Sequence, residues 1–410
     1  MSAGPDTPPS PVRECGAVLT ATELEGCAPA ADLSRWIAAG RSPNSGRTGR
    51  SGFSSSWAED LEQLATLGVN TLALTLEWAE LEPTPGQWSS PAIEFRRDLL
   101  RRAAELGMTP WAVLVDGTLP GWFADDEGGF GDDRARGLLW PRHVDWIGET
   151  FGDLVGGWIP QREPLLHAVR GSLLGTRPPG RRDPLKAAEA VRSAMLADGE
   201  AWRLLAGTAP VATYQTARAI VADPEDVRAR PLAAGLERLL WHPWVSAIGE
   251  GQLVVGDLPI RTVEHLRGAF DRVVVELRPA LRIDGTGRWH PHPADAVPGP
   301  GGLAAWPDAM AEAAARVADE VADRPIIIAG NLGDVSDDGR SRPDHQQAAM
   351  AIAADQDLAG WWQSSPIDGY DADGGFGRYP GLITADRIET PAAAKYQEAA
   401  RAWRTVTPRM

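Results

Sequence analysis

The sequence predicts an α/β protein folded as a single (β/α)₈ TIM barrel. Three observations carry that expectation: eight short apolar runs, a long amphipathic stretch between successive runs, and no shift in composition that would mark a second domain. An open doubly wound sheet shares the alternation, but no Gly-rich phosphate-binding turn follows the first run, which favours the barrel. Residues 1–14, rich in Pro and Ser, read as a disordered tail, and residues 15–405 as the barrel domain.

In chain order the strand candidates are 16–19, 71–76, 111–115, 157–159, 211–213, 273–277, 326–329 and 360–363. The segments between them carry helix signals. Ser90-Pro91 opens a helix that runs to Gly107, and Trp306-Pro307-Asp308 opens another before the seventh strand. The Pro/Gly-rich stretch 285–302 reads as a loop after the sixth strand rather than a linker.

Composition narrows the function classes. The 410 residues are 43% hydrophobic and 23% charged, ordinary for a folded globular chain. A formal net charge of -16 repels phosphate backbones and anionic lipid surfaces, so neither nucleic acid nor membrane is the expected partner. The start of the chain has no apolar signal-peptide core and no later stretch is apolar enough to span a bilayer, which predicts a cytoplasmic protein. Cys15 and Cys27 are too few for a disulfide framework and read as reduced thiols. His290 and His292 sit in Trp-His-Pro-His-Pro without a companion carboxylate or Cys cluster, and a surface loop is their expected setting. No metal or cofactor is expected, and the sequence is silent on oligomeric state.

In such a barrel the site lies where the strands end. That rule selects Glu23, Glu77, Asp116, Glu163, Glu276, Arg278, Asn331 and Asp368, with Arg162 and Trp78 beside them. A ring of carboxylates suits sugar hydroxyls, which donate hydrogen bonds. Some of the 17 tryptophans are candidates to stack on a pyranose face, although packing is the expected role of most.

Longer motifs sharpen this. Glu59-Asp60-Leu61, Leu67-Gly68-Val69-Asn70 and Leu76-Glu77-Trp78-Ala79-Glu80-Leu81-Glu82-Pro83, followed by the Pro85-Gly86-Gln87-Trp88 turn, resemble the second βα unit of the family-one β-glycosidases. Gly107-Met108-Thr109-Pro110 and Thr118-Leu119-Pro120-Gly121-Trp122-Phe123 bracket the third strand as in that family. Trp158-Ile159-Pro160-Gln161-Arg162-Glu163-Pro164 is similar to its Trp-x-Thr-x-Asn-Glu-Pro segment, and 325–382 tracks its last two strands.

The resemblance implies a retaining β-glycosidase in which one glutamate is acid/base and a second is nucleophile, their carboxyl groups about 5 to 5.5 Å apart. Glu163 matches the acid/base glutamate. The nucleophile motif Ile-Thr-Glu-Asn-Gly stands here as Ile328-Ala329-Gly330-Asn331-Leu332, which sets Gly330 where the family has glutamate. The arginine that supports the nucleophile falls on Ala73, and its tyrosine partner falls near Arg278. Sugar-binding positions have changed as well: the first-strand motif reads Glu23-Leu24-Glu25-Gly26, the third-strand His falls on Asp116, and the Asn before the acid/base residue is Arg162. The sixth-strand Asn is Glu276, and the final motifs read Ser364-Ser365 and Tyr370-Asp371-Ala372.

Glycine forms no glycosyl ester, so the expectation is a carbohydrate-binding, glycosidase-like protein that has lost the retaining mechanism. Arg162 beside Glu163 favours the carboxylate over the acid, which predicts an ionised Glu163 in an ion pair. Two alternatives remain. One is an active hydrolase with Glu163 as acid, such as an inverting enzyme using Glu276, Asp116 or Asp371 as base, or one for an anionic sugar held by Arg162 and Arg278. The other is a non-catalytic structural or interaction protein. Glu23, Asp116, Arg162, Arg278 and Asp371 are the expected ligand contacts.

Overall fold

The computed structural model describes residues 13–42, 51–297, 306–321, 323–330, 358–371, 375–376 and 381–405. Eight parallel strands form one sheet: β1 (Glu14–Leu19), β2 (Thr71–Thr75), β3 (Thr109–Val115), β4 (Gly157–Gln161), β5 (Ala212–Ala217), β6 (Arg272–Leu277), β7 (Ile326–Gly330) and β8 (Gly360–Ser364). The order β4-β3-β2-β1-β8-β7-β6-β5 closes on itself through bridges between Trp158 and Val211 and between Arg162 and Tyr214. This is the expected (β/α)₈ barrel, and every predicted apolar run falls on one of its strands.

The strands are apolar almost throughout because both of their faces are covered. Val18, Ala73, Val113, Ile159, Ala212, Val274, Ile327 and Ala329 fill the barrel with Trp111, Trp362 and Tyr214. The rings of Trp111 and Trp362 meet edge to face at 5.8 Å. Gly16 makes room for one of them, since a Cβ there would stand 2.1 Å from Trp362 Cδ1. Alternate residues of the same strands, including Leu72, Leu74, Val275, Ile328 and Trp361, pack outward against the helices.

Helix ends follow local chemistry. α1 (Ser90–Glu105) begins where Ser89 accepts a hydrogen bond from the Ala92 amide, with Pro91 in its first turn. α2 (Pro164–Val169) follows β4 directly, and α3 (Pro184–Leu205) is capped by Asp183, which accepts from the Leu185 and Lys186 amides. α4 (Pro307–Glu320) starts at the expected Trp306-Pro307 step. α5 (Pro391–Thr405) covers β1, where the Tyr396 hydroxyl donates to the Gly16 carbonyl at 3.1 Å. Among the described residues no helix is long and apolar enough to cross a membrane.

One loop is more ordered than its composition suggests. Leu281–Ile283 pairs antiparallel with Trp289–His290, so the first part of the stretch read as a plain loop is a hairpin. His290 is held there by Asp284 at 2.9 Å, and His292 Nδ1 lies 2.8 Å from the Pro293 carbonyl oxygen. Among the described residues no group of three metal-ligating side chains comes together.

Candidate functional site

The C-terminal ends of the strands bring buried Asp116, Arg162, Glu163 and Glu276 into one cluster with half-buried Arg278, with Glu23 and Ser365 at its side. Strand irregularity puts the central arginine there. Trp158 pairs with Val211 and Arg162 with Tyr214, so β4 holds one residue more than β5 between the two bridges. The extra residue changes which face each later side chain takes. Ile159 points into the barrel and Gln161 points out to the Ala194 carbonyl at 3.0 Å, whereas Arg162 points in again.

Arg162 ties together groups from several strands. Its Nη1 donates to Asp116 Oδ1 at 3.2 Å and to Thr20 Oγ1 at 3.4 Å, and its Nη2 donates to Glu276 Oε2 at 3.1 Å. Its guanidinium lies 5.4 Å from the centre of the Tyr214 ring, a cation–π distance. Glu276 also accepts from the Tyr214 hydroxyl at 2.5 Å and from Ser364 Oγ at 2.8 Å. Asp116 also accepts from Thr75 Oγ1 at 3.1 Å.

Glu163 belongs to a second ion pair. It is 1% exposed and accepts at Oε1 from Thr216 Oγ1 and from Arg278 Nε, each at 2.7 Å. Arg278 Nη2 donates to its other oxygen, which completes a bidentate pair. Burial by itself raises the pKa of this carboxyl. The charge and hydrogen bonds of Arg278, and then the charge of Arg162, reverse that and hold it well below the usual carboxylate range. Arg278 is pushed up in turn, burial being outweighed by Glu163. Glu163 thus stands in a bidentate ion pair with Arg278, an arrangement that favours its carboxylate.

Glu163 adopts φ 49° and ψ 46°, the left-handed region that costs a non-glycine residue about 1–3 kcal/mol. Ser365, also at φ 49°, donates from its hydroxyl to Glu23 Oε2 at 2.5 Å. Two of the four non-glycine residues with positive φ among the described residues therefore stand at this mouth, where strain commonly accompanies function.

Position 330 is less simple than sequence matching implied. Ile327 and Ala329 pack inside the barrel while Ile326 and Ile328 pack outside, so alternation turns Gly330 outward. A Cβ on Gly330 would meet the Leu277 carbonyl at 3.2 Å and the Trp361 ring at 3.4 Å. In this register Ala329, paired with Glu276, faces inward, and Asn331 lies outside the described residues. Ala73, matched to the family's arginine, is a buried residue of the barrel interior.

The remaining expected site residues separate. Glu77 caps a short helix through the Ala79 amide and accepts from Thr118 Oγ1 at 2.9 Å; burial and the nearby Glu80 push its pKa up to about 7. Asp368 accepts from the Gly381 amide, a loop contact. Trp78 is core, stacked 4.0 Å from the His143 ring. Asp371 pairs with Gly375 in a short hairpin, and its side chain lies outside the described residues. No tryptophan lines the mouth cavity among the described residues.

Sequence reasoning missed Tyr214, Thr216 and His167. The first two were lost because β5 continues to Ala217 through polar residues, beyond the apolar run 211–213. His167 had a signal, since it stands one helical turn after Glu163. It lines the cavity, and burial pulls its pKa down to about 4, which leaves the ring neutral at pH 7.

Comparison with known proteins follows these lines. Residues 50–232 match glycosyl hydrolase family 1. β-Glucosidase A of Thermotoga maritima is 27% identical over 201 residues, 47% of this chain and 45% of that protein. Klotho of Rattus norvegicus is 30% identical over 148 residues, 35% of this chain and 14% of that protein. The chain thus aligns with less than half the length of these curated relatives. In fold the likeness is wider. A β-glycosidase from Pyrococcus horikoshii superposes with a TM-score of 0.82 at 21% identity, covering 96% of this chain and 94% of that one. The β-glucosidase from Thermotoga maritima in complex with glucoimidazole gives 0.82 at 18%, covering 96% and 98%. Residues 50–232 are thus similar in sequence to glycosyl hydrolase family 1, and nearly the whole chain shares the fold of these β-glycosidases.

Proposed function

We propose that the barrel mouth binds a β-glycoside or sugar-like ligand and that the retaining hydrolysis of the family has been given up. The observation that carries this reading is the bidentate grip of Arg278 on Glu163. A general acid must hold a proton near neutral pH, and a carboxyl whose pKa is driven down by a bidentate guanidinium does not. The nucleophile side agrees, since Ala329, Gly330 and Asn331 are all without a carboxylate, whichever of them the family's glutamate corresponds to. Carbohydrate as the ligand class is supported by the polar mouth and by the fold's likeness to β-glucosidases solved with glucoimidazole and galacto-hydroximolactam.

Inversion is disfavoured by what stands between the carboxylates. It needs a second carboxylate about 6.5–9.5 Å from the acid with a water between them. Arg162 Nη2 lies 3.9 Å from Glu163 Oε2 and 3.1 Å from Glu276 Oε2, so these two oxygens are at most about 7 Å apart and a guanidinium occupies the gap. An anionic sugar is the second reading of the ligand, favoured by Arg162, Arg170, Arg177 and Arg278 in the cavity lining.

The test is hydrolysis of a panel of activated aryl β-glycosides, uronides and phosphorylated sugars included, with product anomers read by NMR. No turnover above that of Glu163→Gln, together with saturable binding of at least one sugar, is expected. Turnover that disappears in Glu163→Gln overturns the proposal, and the product anomer then separates retention from inversion.

A further inference from the structure

Between α3 and the connection after β3 lies a cavity of about 460 Å³ that shares no lining residue with the mouth cavity. Its size falls within the range of small-molecule sites. Three separate parts of the chain bring cations to it. The connection after β3 supplies Arg136, the loop after α2 and the first half of α3 supply Arg181, Lys186 and Arg192, and a short hairpin in which Arg261 pairs with Leu253 supplies the last. On α3, Lys186, Glu189, Ser193 and Leu196 follow the three- and four-residue spacing of one helix face, so the helix turns a continuous stripe toward this space.

The carboxylates of this cavity are already committed. Asp132 accepts from the Arg134 and Ala135 amides, each at 2.9 Å, Asp133 pairs with Arg136, and Glu189 pairs with Lys186 at 2.8 Å. Arg181, Arg192 and Arg261 make no side-chain hydrogen bond or ion pair among the described residues. Five cations against three carboxylates leave an excess of two positive charges, in a chain whose net charge is -16. The excess acts on its neighbours. Asp133, although exposed, is held below the usual carboxylate range by its hydrogen bond to Arg136 and the charge of Arg136, with Arg261 and then Arg192 adding to the effect. Like charges gathered in a concave site repel one another, and a bound anion offsets that repulsion.

We propose that this cavity is a second ligand site, separate from the barrel mouth, in which Arg181, Arg192 and Arg261 hold the phosphate group of a small phosphate monoester. Such a group carries about -1.5 to -2 charges at pH 7 and three strong acceptor oxygens, which match the excess charge and the three unpaired guanidinium forks. The organic part of the ligand takes the remaining space beside Ala190, Ser193 and Leu196. The site stands independently of the sugar reading of the mouth.

The experiment is calorimetric titration of the full chain at low ionic strength with glycerol 3-phosphate, inorganic phosphate and, as the uncharged control, glycerol. Saturable binding of both phosphates is expected, tighter for the monoester, with glycerol silent. Arg192→Gln and Arg261→Gln should each weaken it at least about tenfold, the effect of losing one charged hydrogen-bonding partner. Asp133→Asn, which removes a competing carboxylate, should tighten it, and a gain of affinity cannot come from a damaged fold. Equal affinity for the monoester and inorganic phosphate reassigns the site to free phosphate and overturns the monoester. Failure of both phosphates to bind, affinity unchanged in both arginine variants, or an Asp133→Asn chain that binds no more tightly than the unaltered one overturns the site itself.

Discussion

Strands β2–β5 and strands β6–β8 differ in their likeness to known sequences. The first set lies inside the segment that matches glycosyl hydrolase family 1 and leads into Glu163. The second set lies beyond that segment, yet its strands pair in unbroken parallel register. What it contributes to the mouth is Glu276, Arg278 and Ser364, and Arg278 and Glu276 take up Glu163 and Arg162 from the other half. Barrel geometry asks only for apolar runs of the right length, whereas chemistry asks for particular atoms at particular strand ends. A barrel can therefore keep its fold whatever residues its strand ends carry.

The largest break in this comparison should come from Arg162→Met, which removes the link between the halves and leaves Asp116 and Glu276 short of their buried cation. A loss of about 3–5 kcal/mol is expected in denaturant unfolding, and a loss under 1 kcal/mol would show the halves to be energetically separate. Thr216→Val deletes one hydrogen bond to the charged Glu163 and should cost about 1.5–3 kcal/mol by the same measurement. Gly330→Glu restores the residue type of the family motif; overpacking against Leu277 and Trp361 should cost about 1–3 kcal/mol, and aryl β-glucoside hydrolysis should stay at background. Turnover in that variant would mean that the second half needs only one change to work again.

The smallest effect expected is on acid stability. Glu163 has a lower pKa in the folded chain than in the unfolded one, so its stabilisation is present above the unfolded value of about 4.3 and is lost as pH falls through the depressed folded value. Unfolding free energy should therefore fall with pH below about 4.3 less steeply in Glu163→Gln than in the unaltered chain. Equal slopes would mean that Arg278 does not hold the carboxyl down.

The contrast between the halves also explains what could be read from sequence. All eight strands were legible because each is an apolar run bounded by polar or Gly-rich residues, as at β7, where Ile326, Ile327 and Ile328 are buried in succession. Glu163 and Arg162 were legible through their motif. The pairing was harder: the sequence suggests an external anion for Arg278, and it holds Glu163. Sequence spacing also misses the extra residue in β4 that turns Arg162 inward, because strand alternation counted from Ile159 would put Gln161 there instead. Gly330 shows the same limit, since its motif position predicts the mouth and its register turns it toward the helices.

The extra residue in β4 also bears on how the site tolerates change. Once Arg162 is aimed into the barrel, Asp116 and Glu276 each depend on it, and Glu163 depends on Arg278. Replacing these residues one at a time would pass through chains that bury an unmatched charge, and the penalties of neighbouring changes do not add. The network thus resists piecemeal change: it can be exchanged for another arrangement only by several coordinated replacements.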